Sequence, residues 1–175
     1  MKGHLLKMRV LGVDPGLTRC GLAIVDEAPG RKVILKTVMV FRTPATDALA
    51  DRLLQLDTAL SKIIKEYKPD VVAVEQVFSQ HNLKSVMGTA QAAGLAMVNA
   101  AKQGCQVFTY TPTQVKASVT GSGKADKRQI GRMIAKICGL SSPPEPADAS
   151  DAVALAICHL WRGGADEKIR KRAVS

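Results

Sequence analysis

No apolar run in this chain reaches the roughly 18 residues that a membrane-spanning helix requires, which predicts a soluble protein with no membrane partner. Cysteine is sparse as well. Cys20, Cys105, Cys138 and Cys158 form no Cys-x-x-Cys pair, follow no regular spacing and are preceded by no signal peptide. Their scatter argues against a disulfide scaffold or a thiolate metal site and for a reduced, cytoplasmic compartment, with each cysteine a small buried apolar residue. Acidic residues are in deficit: 15 Asp and Glu face 25 Lys and Arg, for a net charge of +10. That balance points to a polyanionic partner, nucleic acid first of all. Internal repeats and low-complexity tracts are lacking too. What remains is ordinary globular composition, 46% hydrophobic and 23% charged over 175 residues, which suits one domain able to bury about 70% of its unfolded surface.

Met1 to Lys7 reads as a leader and residues 163–175 as a flexible basic tail, with a single domain between them. Met8–Val13, Cys20–Val25 and Lys32–Phe41 read as three strands with short links, hence an antiparallel meander. From Asp47 to Tyr67, the residues Leu49, Leu53, Leu56, Leu60 and Ile63 recur at helical spacing and share one face. Pro69 ends that helix. Val71–Val74 follows as a short strand apolar on both faces, as a helix-covered sheet requires. A helix rich in small residues spans Leu83–Gln103, and Gln106–Tyr110 is a fifth strand. Pro112 starts another helix, Gly121-Ser122-Gly123 forms a loop, and Ile130, Met133, Ile134 and Ile137 mark an amphipathic helix. The last helix is expected from about Asp148 to Trp161. The predicted fold is α/β, a mixed five-stranded sheet flanked by helices on both faces.

Four carboxylates stand out on this framework. Asp14 ends an apolar strand at a Pro-Gly turn, and Glu75 ends the apolar run Val71–Val74. Asp148 and Asp151, three apart at a helix start, project from the same face. Each has a plain structural alternative: Asp-Pro-Gly shapes turns, and acids in a first turn cap helices and complement the dipole. Brought together, however, the four would repel one another. Hard divalent cations, Mg²⁺ or Mn²⁺, resolve such repulsion with oxygen ligands alone. Two such ions about 4 Å apart suit phosphodiester displacement.

The motifs Gly12-Val13-Asp14-Pro15-Gly16, Val74-Glu75-Gln76-Val77-Phe78 and Ala147-Asp148-Ala149-Ser150-Asp151-Ala152, in this order and at these separations, resemble the RuvC family of bacterial crossover (Holliday) junction endonucleases. The resemblance runs from about Met8 to Trp161. It implies a ribonuclease H-like fold, catalytic and metal-binding roles for Asp14, Glu75, Asp148 and Asp151, and symmetric metal-dependent cleavage of four-way DNA junctions in recombination and repair. It further implies a homodimer, a ligatable product and partnership with the RuvA–RuvB branch-migration complex.

The substrate face follows from charge. Between residues 116 and 136 lie Lys116, Lys124, Lys127, Arg128, Arg132 and Lys136 against the single acid Asp126. Arg132 and Lys136 lie opposite the apolar stripe and are explained equally well as a solvated helix face. Lys116 and Lys127 match family lysines that bind or cleave DNA; Lys124 and Arg128 extend the same surface, and Gly121 and Gly123 allow close approach of a phosphate backbone. Phe78, one of only three phenylalanines, matches a family aromatic that stacks on bases, with Gln76 beside it. His159 is expected to be structural. Two other readings stay open on sequence alone: a phosphotransferase of the actin and sugar-kinase type, and a junction-binding protein without catalysis.

Overall fold

In the computed structural model of the protein, residues 8–77 and 83–173 are described, with side-chain environments for 8–77 and 85–163. The elements, in chain order, are β1 (Arg9–Asp14), β2 (Arg19–Ala28), β3 (Lys32–Arg42), α1 (Leu49–Tyr67), β4 (Val71–Glu75), α2 (Leu83–Lys102), β5 (Gln106–Tyr110), α3 (Pro112–Thr120), α4 (Lys127–Cys138) and α5 (Ala147–Ala173). The expected elements are all present near their predicted bounds, with one difference: α5 does not end at Trp161 but continues to Ala173. The pair Gly163-Gly164 is the local signal for an end near Trp161, and the helix runs through it into Ala165, Glu167, Lys168 and Arg170, which have good helix propensity.

The sheet order is β3-β2-β1-β4-β5. Strands β1, β2 and β3 form the antiparallel meander, and β4 joins β1 in parallel with Val13 opposite Val74. Side chains alternate between the two faces of a strand, and the core divides accordingly. Leu11, Val13, Leu22, Ile24, Val72 and Val74 pack under α1 and α2. Val10, Ala23, Val25, Val71 and Ala73 pack under α3, α4 and α5. Leu56, Leu60, Ile63 and Ile64 are the buried residues of α1, whereas Leu49, expected on that face, is the first helical residue and is 50% exposed.

Helix α5 comes closer to the sheet than any side chain would allow. A Cβ on Gly12 would overlap the carbonyl oxygen of Ala152, and one on Gly21 would overlap that of Asp148. These two glycines, on neighbouring strands β1 and β2, form a flat patch on which the first two turns of α5 rest. The sheet and helix backbones are therefore in direct contact beside Asp14, which pairs with Gly21 in the register. Gly12→Ala should overpack this contact and cost about 1–3 kcal/mol, read as a lower urea midpoint at unchanged m; an unchanged midpoint would show that α5 shifts without cost.

Candidate active site

Asp14 and Glu75 become neighbours through strand order alone. Both close their strands, β1 and β4 pair in parallel, and the register Val13↔Val74 makes them the next matched positions. By alternation each belongs to the face occupied by Val10 and Gly12, or by Val71 and Ala73, so both are directed toward α5. There they meet Asp148 and Asp151 on the first turns of that helix. All four are half-buried.

The electrostatics register this convergence. Asp14 is pushed up to about 8, first by burial and then by the charges of Glu75, Asp151 and Asp148, with Lys127 opposing. Burial also raises Glu75, reinforced by Asp151 and opposed by Lys127 and Lys116. Asp151 is raised by burial and by Asp148, against the pull of Lys127 and Lys116. The four acids predicted from scattered motifs thus form one interacting group, and the two predicted lysines act on it.

Cations touch only part of the cluster. The Lys127 ammonium donates to Oδ2 of Asp151 at 3.4 Å, and the Arg19 guanidinium lies 3.4 Å from Oδ2 of Asp148. Both cations are largely exposed, their side chains being 73% and 54% accessible. Among the described residues, no Lys or Arg comes within 4 Å of Asp14 or Glu75. Nor do three Asp, Glu, His or Cys side chains among the described residues close upon one point as a finished ligand set. The donor chemistry nonetheless fits a hard dication: the oxygens are carboxylates only, and two of the four have no counter-charge to displace.

The lysines are aimed by helix caps. Thr111 caps α3 by accepting from the Gln114 amide while the Gln114 side chain accepts from the Thr111 amide. Asp126 and Gln129 repeat this capping box at α4. Lys127 is therefore the first residue of α4 and Lys116 lies within α3. Asp126, the one acid in the basic segment, is accounted for as a cap. Lys124, Arg128 and Gln76 are exposed at this end of the molecule. Phe78 lies outside the described residues, as do residues 79–82. His159 is 2% exposed and its Nδ1 is 2.7 Å from the Tyr110 hydroxyl, a core position away from the acids.

Sequence reasoning missed Arg19, Gly12 and Gly21. The hairpin alone did not give the register: a turn confined to residues 15–18 would put Asp14 opposite Arg19, whereas β1 and β2 pair with Asp14 opposite Gly21 and leave Arg19 two residues further along on the same face.

The pH response follows from Asp14. Its folded value of about 8 exceeds the ordinary 3.8. Across that window the folded protein holds a proton that the unfolded chain has released, so stability contributed by this group is full on the acid side and falls as pH rises toward 8. With divalent ions chelated, the wild-type Tm should decline from pH 5 to 8. Asp14→Asn should flatten that decline and raise Tm at pH 8 by about 5 °C or more; identical profiles for the two proteins would show that Asp14 is well solvated.

Comparison with known proteins yields a consistent set of similarities. A family model described as "Crossover junction endodeoxyribonuclease RuvC" matches residues 10–159. A protein of that name from Salinispora arenicola is 55% identical over 166 residues, covering 95% of both chains. One from Thermobifida fusca is 54% identical over 164 residues, covering 94% of this chain and 90% of its own. Among solved structures, Thermus thermophilus RuvC in complex with a Holliday junction substrate aligns with TM-score 0.86 at 30% identity, covering 91% of this chain and 96% of its own.

Proposed function

The chain belongs to the crossover junction endodeoxyribonuclease RuvC family, a family of metal-dependent nucleases, and on that premise we propose how its residues cut a four-way DNA junction. Membership sets aside the phosphotransferase alternative. The observation that carries the mechanism is the convergence at one end of the sheet of Asp14 and Glu75, which close the paired strands β1 and β4, with Asp148 and Asp151 on the first turns of α5, a helix held against Gly12 and Gly21.

Asp14, Glu75, Asp148 and Asp151 would hold two Mg²⁺ or Mn²⁺ ions. Such ions, when bound, activate water and stabilise the leaving oxygen of an in-line displacement. The protein residues do the rest. Burial at Gly12 and Gly21 fixes the two α5 acids against the two strand acids. Lys127 and Lys116 offset part of the acid charge and keep a phosphate from being repelled, and Lys124, Arg128 and Gln76 hold the backbone beside it. Phe78, next after the Gln76-Val77 pair that follows β4, would stack on unpaired bases at the crossover, worth about 1–3 kcal/mol per base.

Symmetric cutting needs two such sites, which a two-fold homodimer supplies. Helix α2 offers a seam for it. Ala92, Ala93, Ala96 and Ala100 are small because they pack on the sheet core. Met87, Ala90, Gly94, Val98 and Ala101 instead form an exposed stripe at helical spacing. A Cβ on Gly94 would meet nothing within 4 Å, so nothing within the protomer requires a glycine there. We also place the protein in the cytoplasm, acting with the RuvA–RuvB complex; among the described residues no helix is long and apolar enough to cross a membrane.

Two experiments test this reading. Purified protein should nick opposed strands of a synthetic four-way junction only with Mg²⁺ or Mn²⁺, leaving linear duplex intact. Asp14→Asn should reduce cutting by about a hundred- to a thousandfold, as expected when a group central to electrostatic catalysis is lost, yet bind the junction as tightly or more so. Junction binding and cutting lost in equal measure would reject the ligand role. Val98→Glu should shift the sedimentation profile from dimer to monomer; a dimer that persists would move the interface away from α2.

A further inference from the structure

Three arginines, Arg19, Arg42 and Arg52, lie toward the β3 edge from the acids. Arg19 opens β2 and Arg42 closes β3, and the two are direct partners in the antiparallel register. Like charges facing each other across a strand pair destabilise it. Arg19 has Asp148 at 3.4 Å as a counter-charge, while Arg42 is exposed and among the described residues has no carboxylate within 4 Å. Arg52, from α1 on the opposite face, reaches the same end of the sheet: its Nε donates to Oγ1 of Thr43 at 2.9 Å and its Nη2 to Oγ1 of Thr18 at 2.8 Å. Thr43 in turn donates to the Leu17 carbonyl at 2.6 Å and is 3% exposed, so this corner is rigidly tied. Among the described residues no carboxylate lies within 4 Å of the Arg52 guanidinium.

Strand order arranges these groups in a row. Along one end of the sheet come Arg42 on β3, Arg19 on β2, Asp14 on β1 and Glu75 on β4, while α4, which begins at Lys127, packs against α5 and β3. By alternation Arg42, Arg19, Asp14 and Glu75 occupy the same face. Positive charge therefore continues from the acids to the β3 edge of the sheet, and only its lysines were evident in the basic segment of the sequence. With strands about 4.8 Å apart, Arg42 is roughly 10 Å from the strand of Asp14, or about three nucleotides at 3.4 Å of rise each.

We propose that Arg19, Arg42 and Arg52 form a second phosphate-binding surface, which holds the backbone of the junction arm that leaves the acids across β2 and β3. The inference rests on the junction-cleaving function above and adds the path of a DNA arm to it. A junction presents diverging arms at each cut, so a single basic flank would hold only one of them; the paired arginines supply the second.

The test is the salt dependence of junction binding for wild type, Arg42→Ala, Arg42→Lys and, as a control on the far part of α1, Lys65→Ala. Each phosphate contact contributes about 0.9 to the slope of log binding constant against log salt. Arg42→Ala should bind more weakly at low salt and lower that slope by about 1, with an unchanged melting temperature; Arg42→Lys should restore it and Lys65→Ala should match wild type. If wild type binds and cuts junctions while Arg42→Ala keeps its slope and affinity, this second surface is overturned and the function stands. A wild type without junction preference would overturn both.

Discussion

The site depends on a backbone contact between α5 and the two glycines at the centre of β1 and β2. An ordinary side chain at Gly12 or Gly21 would collide with the carbonyl of Ala152 or Asp148, and the helix would have to stand off. The separation of α5 from the sheet determines whether two acids on a helix and two on strand ends are one cluster or two. Packing in this region is close because the cores on both faces are made of small and branched aliphatics, with Ala152, Val153, Ala156 and Ile157 wholly buried. Interiors this dense transmit a displacement rather than absorb it.

That closeness sets acids against one another. Burial and like charge together hold Asp14 far above its ordinary value and push Glu75 and Asp151 the same way. A structure selected for stability alone would have separated them or given Asp14 and Glu75 a cation. It does neither, and strain that persists in this way is expected at functional sites. The same carboxylates that destabilise the protein at neutral pH are the oxygen donors a hard dication needs. The flanking cations are exposed and loosely held at 3.4 Å, so they moderate the repulsion without neutralising the acids.

The two helices that carry the lysines show a different economy of design. Each starts with a reciprocal side-chain cap, Thr111 with Gln114 and Asp126 with Gln129. A cap fixes where a helix begins, and so fixes which residues fall in its first turns. Lys127 reaches Asp151 because it is the first residue after its cap. At the same end of the sheet, hydroxyls of Thr18 and Thr43 orient Arg52 by the same principle of local hydrogen bonding, with no carboxylate involved.

Local pattern by itself determined the elements and the four acids. Alternation and helical spacing are carried by contiguous residues, so five strands and the helix of Leu56, Leu60 and Ile63 were legible, and Asp14, Glu75, Asp148 and Asp151 stood out as charges at the ends of apolar segments. The length of α5 was misjudged because the basic composition past Trp161 reads equally as a solvated helix or as a tail. What the sequence could not supply was adjacency. That β4 inserts next to β1, rather than beside β3, depends on pairing between segments nearly sixty residues apart, and only that choice puts Glu75 beside Asp14. Arg19 and Arg42 were invisible for the same reason: each is an ordinary exposed arginine until the register makes them partners. A residue's chemistry is written in the chain, but its neighbours across the sheet are decided by the packing of the whole.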